Sequence, residues 1–157
     1  MNKNKTTVVE AQMLIRKPAS IVFDAFVDPA ITTNFWFTKS SGRLEAGKTV
    51  KWEWEMHHAE TTVLVTDLIP DRKISTEWGD PITKVDYEFT PVSENSTYVV
   101  IKNYGYTETG PELIQVVMEN TGGFTTVLDG LKAYLEHDIK LNLIGDKFPK
   151  EIKGTED

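Results

Sequence analysis

Between residues 49 and 104 the chain alternates apolar and polar side chains with a period of two, and on its clearest segments the polar side is charged. That period marks a β-strand whose two faces meet different surroundings. In 49–56, Trp52, Trp54 and Met56 share one side, while Lys51, Glu53 and Glu55 share the other. In 73–78 the inward set is Ile74, Thr76 and Trp78; in 83–90 it is Val85, Tyr87 and Phe89, opposite Asp86 and Glu88. Segments 61–69 and 97–104 complete the run, and in the last of them Val99 and Ile101 compete with Tyr98 and Val100 for the inner face. Ser41-Gly42, Ala46-Gly47, Pro70-Asp71, Gly79-Asp80-Pro81 and the polar stretch 93–96 mark turns. Strands joined by such short turns pair antiparallel. A sheet apolar on one side only must be covered by another part of the chain.

The C-terminal third supplies that cover. Thr109 and Glu112 have capping-box spacing, and a helix is predicted from about 111 to about 141. At 1.5 Å per residue it is roughly 45 Å long, enough to cross a sheet. Phe124, Leu128, Leu131 and Leu135 form its buried stripe, and Gly145 is its expected stop. Gly122-Gly123 lies inside it, although each mid-helix glycine costs about 1 kcal/mol against alanine. A bend or a close backbone approach near a cavity would account for the pair. Ahead of the meander, 8–16 reads as a first strand. Pro18 opens a short helix with Ile21, Val22, Ala25 and Phe26 on its apolar side, and Asp28 caps a second short helix from Pro29 to about Phe35. Residues 1–7 and 146–157 are expected to be loose tails. The whole reads as one α+β domain: a curved antiparallel sheet of about six or seven strands around a long C-terminal helix.

Composition narrows the function. Against 17 Lys and Arg stand 24 Asp and Glu, a net charge of −7. Such a chain is poorly matched to nucleic acid or to an anionic membrane. With no cysteine and only three histidines, two of them adjacent, neither a metal site nor a cofactor is expected. No apolar segment is long enough to span a bilayer and the first residues carry no secretory pattern, so a cytoplasmic location is expected.

The order of elements has a counterpart among known proteins. "KPASIVFDAFVDP", "NFWF", the Trp-rich strand, "LIPDRKISTEW" and "GGFTTVLDGLKAYLEHDIKLNL" follow one another. In this they resemble the START-related SRPBCC superfamily, and within it the family named after the C-terminal domain of the activator of heat-shock protein 90 ATPase. The resemblance runs from Val8 to Leu143 and lies in order and spacing. It implies the helix-grip fold with a cavity between sheet and long helix. It carries over no fixed catalytic residues. Within these 157 residues a separate N-terminal chaperone-binding domain like that of the eukaryotic activator is not expected, and chaperone activation is expected less than ligand binding.

The expected cavity lining is Phe26, Phe35, Trp36, Trp52, Trp54, Met56, Trp78, Tyr87, Tyr104, Met118 and Phe124. Large aromatic rings give a ligand apolar contact, and indole N–H or tyrosine hydroxyl groups orient it. The same rings also serve as ordinary core. Neither a nucleophile elbow nor a phosphate-binding glycine loop occurs, so no catalytic residue is assigned. The leading expectation is a module that holds an apolar or aromatic small molecule, as a monomer or homodimer. A co-chaperone-like interaction protein comes second, and a cavity enzyme of cyclase or hydrolase type third.

Overall fold

Strand register decides which side chains meet in the core, and the computed structural model, which describes residues 7–153, fixes that register. Seven strands, β1 (Val8–Ile15), β2 (Lys39–Ser40), β3 (Thr49–Trp54), β4 (Ala59–Ile69), β5 (Lys73–Trp78), β6 (Thr83–Ser93) and β7 (Ser96–Tyr104), form one sheet. Its order is β1-β7-β6-β5-β4-β3-β2, antiparallel throughout. Ile74 sits opposite Tyr87, Tyr87 opposite Ile101, and Ile101 opposite Ala11. These residues are buried, as are Val50, Val63, Val65, Val85, Phe89 and Val99 on the same face. The ambiguity in the last strand is thereby settled: Thr97, Val99, Ile101 and Asn103 point inward, and Tyr98 is exposed.

The cover is α3 (Gly110–His137), whose Phe124, Val127, Leu128 and Leu131 are buried in the same core as the strands. Two shorter helices, α1 (Ala19–Val27) and α2 (Pro29–Thr32), follow β1 and close the other end of the inner face. Asp28 Oδ1 accepts from the Ala30 N–H at 3.0 Å, the predicted cap. Val22, Ala25 and Phe26 are buried, but Ile21 is exposed. A seven-stranded antiparallel sheet gripping one long helix is the helix-grip fold. No helix among the described residues is long and apolar enough to cross a membrane.

Several boundaries differ from the sequence reading. The third strand stops at Trp54, and Glu55–His57 forms a 3-10 turn closed by His58 at a left-handed φ of 51°. Met56 therefore leaves the alternation and is exposed. The long helix ends at His137, because Asp138 adopts φ 55° and returns its N–H to the Tyr134 carbonyl. Gly145, the expected stop, lies inside α4 (Leu143–Lys147), and α5 (Lys150–Lys153) occupies part of the expected tail. Residues 1–6 and 154–157 of the two expected tails lie outside the described residues. Thr109 sits at the N-cap but makes no side-chain capping bond. Leu135 is only partly buried.

The last turn of α3 is tied to the end of β1. Glu136 Oε2 accepts from the Arg16 N–H at 2.8 Å and from Lys132 Nζ at 2.7 Å, while Lys132 also donates to the Leu14 carbonyl at 2.8 Å. Burial pushes the Glu136 carboxyl pKa up, but these bonds and the Lys132 and His137 charges outweigh it and leave it below its ordinary value. A depressed carboxyl contributes stability that is complete above its unfolded pKa and lost as pH falls through the folded one. Glu136→Gln is therefore expected to cost about 1–2 kcal/mol at pH 7, with the gap from wild type closing in acid. Denaturant titrations of both proteins from pH 7 to pH 3 check this; a gap independent of pH contradicts it.

Candidate ligand-binding cavity

Side chains of α3 leave part of the inner face uncovered. Where the helix carries Gly122 and Gly123, a cavity of about 600 Å³ opens between the helix, the ends of β3 and β5, and the C-terminal segment. Trp36, just after α2, and Trp54, Trp78 and Phe124 form its aromatic wall. Their rings brace one another: Trp36 lies 6.4 Å from Trp54, 6.1 Å from Trp78 and 6.3 Å from Phe124, centroid to centroid, and Trp78 lies 5.7 Å from Phe124. Met118, 63 % exposed, stands at the rim, so the cavity opens to solvent. Ile144, Lys147 and Phe148 close the far side, held there in part by His57, whose Nε2 lies 2.9 Å from the Ile144 carbonyl oxygen.

Polar groups sit at two ends. At the rim, Glu119 accepts from Gln115 Nε2 at 2.8 Å, and Lys147 Nζ stands 5.8 Å from the Phe148 ring centre. At the other end, Asn120 reaches a buried pair on the sheet side. Its Nδ2 lies 3.1 Å from Asn103 Oδ1 and 3.1 Å from the Tyr106 hydroxyl, which itself donates to Asn103 Oδ1. Burial pushes the Tyr106 hydroxyl pKa up, only partly offset by the Asn120 bond, so the phenol stays protonated at neutral pH.

The predicted lining residues divide. Trp36, Trp54, Trp78, Met118 and Phe124 border the cavity. Phe26, Trp52 and Tyr87 lie behind that wall, fully packed; Trp52 stacks on Phe37 at 4.5 Å. The Tyr87 hydroxyl has no hydrogen-bond partner among the described residues, and burial, with the nearby Asp86 charge, raises its pKa far above the usual phenol range. Phe35 and Met56 face a separate pocket of about 70 Å³ beside Leu141. Tyr104 belongs to the outer face: it alternates with the inward Asn103 and donates to Asp86 Oδ2 at 2.8 Å. Burial, with Asp86 beside it, pushes its pKa up to about 12.

Sequence reasoning missed His57, Asn103, Asn120 and the C-terminal residues. One signal for Asn103 was present: a lone amide in phase with Val99 and Ile101 on an apolar face.

Comparison with known proteins agrees with this architecture. The family model described as Activator of Hsp90 ATPase homolog 1-like protein matches residues 16–136. No curated protein matches the chain in sequence. A protein of solved structure from Staphylococcus saprophyticus is similar at 27% identity and TM-score 0.76, over 86% of this chain and 96% of that one. The Aha1 dimer from Colwellia psychrerythraea is similar at 17% identity and TM-score 0.70, over 84% and 98%. An HSP90 activator from Plasmodium falciparum is similar at 18% identity and TM-score 0.64, over 82% and 96%.

The helical glycines separate two uses of a missing side chain. A Cβ on Gly130 would meet the Phe35 carbonyl oxygen at 3.2 Å and Phe35 Cβ at 3.3 Å, so this is where α3 approaches another backbone closely. Gly123 has nothing within 4 Å, and Gly122 only Lys147 Nζ at 3.6 Å. The expected close approach thus lies seven residues further on, and the glycine pair opens space instead. Gly123→Ala should gain about 1 kcal/mol of helix propensity and raise the melting temperature by roughly 2–4 °C. Gly130→Ala should lower stability by about 1 kcal/mol, since crowding costs more than propensity returns. Calorimetry on both variants decides it, and shifts of the same sign would refute the contrast.

Proposed function

The chain belongs to the family of Activator of Hsp90 ATPase homolog 1-like proteins, and from that premise we propose that it is a small-molecule-binding module. The cavity beside Gly122-Gly123 holds a largely apolar, aromatic compound. The glycine pair carries this reading. Two adjacent glycines cost a helix about 2 kcal/mol, and at Gly123 they leave room that no side chain occupies. A volume of about 600 Å³ falls within the range of small-ligand sites. A ligand that hides about 200 Å² of apolar surface there gains roughly 5 kcal/mol towards binding, against which the loss of its free motion counts. The braced indoles keep the wall in place before binding, which lowers the ordering cost.

A second reading follows from the family itself and from the likeness to an HSP90 activator. In it the chain contacts a chaperone through its surface, and the charged outer face of the sheet, with Lys73, Glu88 and Lys102, supplies the contact.

Thermal-shift measurements with a panel of two- and three-ring aromatic compounds test the first reading. A binder present at about 100 times its Kd should add about 2.7 kcal/mol. Gly123→Leu, which sends a side chain into the open space, should fold normally and lose that shift. An unresponsive wild-type protein across the panel removes the ligand reading. Stimulation of the source organism's Hsp90 ATPase, unaffected by Gly123→Leu, would favour the chaperone reading.

A further inference from the structure

We infer that the C-terminal segment from Asp138 to Ile152 is a retention lid, which closes over a compound seated in the cavity and sets how slowly it leaves. This rests on the ligand-binding reading and adds the control of that same site.

The segment borders the cavity without joining the core. After α3 the chain turns at Asp138 (φ 55°), runs through 139–141 and turns again at Asn142 (φ 56°) before α4. Two non-glycine residues in the left-handed region thus bracket a short connection, and small changes of φ and ψ there swing everything that follows. From 138 to 152 no side chain is fully buried, whereas Phe124, Val127, Leu128 and Leu131 of α3 are. A segment held by so few apolar contacts opens locally at a small fraction of the cost of unfolding. It also lies outside residues 16–136, the span matched by the family model, so the device belongs to this chain's own continuation of α3.

What holds the segment is specific and slight. A carbonyl oxygen only accepts, so His57 Nε2 carries the proton and donates to the Ile144 carbonyl at 2.9 Å. Leu143 Cδ1 lies 3.8 Å from where a Gly130 Cβ would stand, outside the lining of the large cavity. Lys147 Nζ lies 3.6 Å from the corresponding point on Gly122, so that glycine sits beneath the segment, while Gly123 beside it faces open space.

The lid is incompletely shut. Phe148 borders the cavity and is 56 % exposed, and Met118 on the α3 rim is more exposed still. In the empty protein both leave apolar surface in water. A flat apolar compound in the cavity gives these side chains a surface to cover, and their burial favours the shut position. Entry needs no opening, because the mouth already reaches solvent. Closure therefore acts on departure.

The test follows 2-naphthol and 2-methoxynaphthalene on the full chain. Leu143→Ala loosens the lid without altering the cavity lining. NMR line shapes across a titration should give dissociation about five-fold faster than in wild type, with association unchanged. In wild type, hydrogen exchange at 143–148 should slow about five-fold with either compound at ten times its Kd. Exchange at 124–131, equal in the two free proteins, reports an intact fold; should Leu143→Ala disturb it, the wild-type exchange decides alone. An unchanged dissociation rate in an intact Leu143→Ala, or binding that leaves exchange at 143–148 as it was, overturns the lid and leaves the cavity reading standing. Binding of neither compound overturns both.

Discussion

The structure depends on one indole. Trp36 leaves the end of α2 and meets rings from every layer around it: Phe26 of α1, Trp52 and Trp54 of β3, Trp78 of β5, Tyr87 of β6 and Phe124 of α3. Edge-on and tilted ring contacts of this kind add about 0.5–1.5 kcal/mol each to the burial of their area. More important than the sum is the geometry. The sheet, the two short helices and the long helix are all referenced to one side chain that is 6 % exposed and also forms the cavity wall. Core and site are therefore not separable here. A change that loosens the wall loosens the joint between sheet and helices.

Against that rigid wall, α3 has two conflicting tasks. Along Phe124, Val127, Leu128 and Leu131 it must fill the groove of the sheet, and at Gly130 it must let the Phe35 backbone approach. Immediately before Phe124 it does the opposite, withholding side chains at Gly122 and Gly123. Packing alone would favour alanine or leucine there, since interiors are close to crystal density and voids are unfavourable. Local rules broken without a structural return tend to mark function.

The legible part of the chain was the part governed by period and by local turn chemistry. The strand Lys73–Trp78 and its inward set could be read directly, because one face is charged and one is not. The Asp28 cap could be read for the same reason: donor and acceptor lie two residues apart. Met56 was misread because nothing in Glu55-Met56-His57 announces a turn, and alternation continues through it in letters only. Tyr104 was misread because a tyrosine suits either face, and the choice was made by register with β1 and β6. Lys147 and Phe148 were assigned to a tail because a polar segment after a helix carries no sign of the groove it returns to. The amide–phenol set of Asn103, Tyr106 and Asn120 is legible only at Asn103, the lone amide in phase with Val99 and Ile101; that a loop and a helix bring it partners is decided by the fold alone.

That same amide–phenol set places fixed polar groups beside an otherwise apolar cavity wall. Aromatic walls reward any flat apolar molecule in proportion to area and distinguish such molecules weakly. The charges of Glu119 and Lys147 stand at an open rim, where water screens them. Asn120 is oriented by its hydrogen bonds to Asn103 and Tyr106, and Asn103 in turn donates to the Lys84 carbonyl of β6. The sheet that builds the core thus also sets the chemistry at the cavity's inner end.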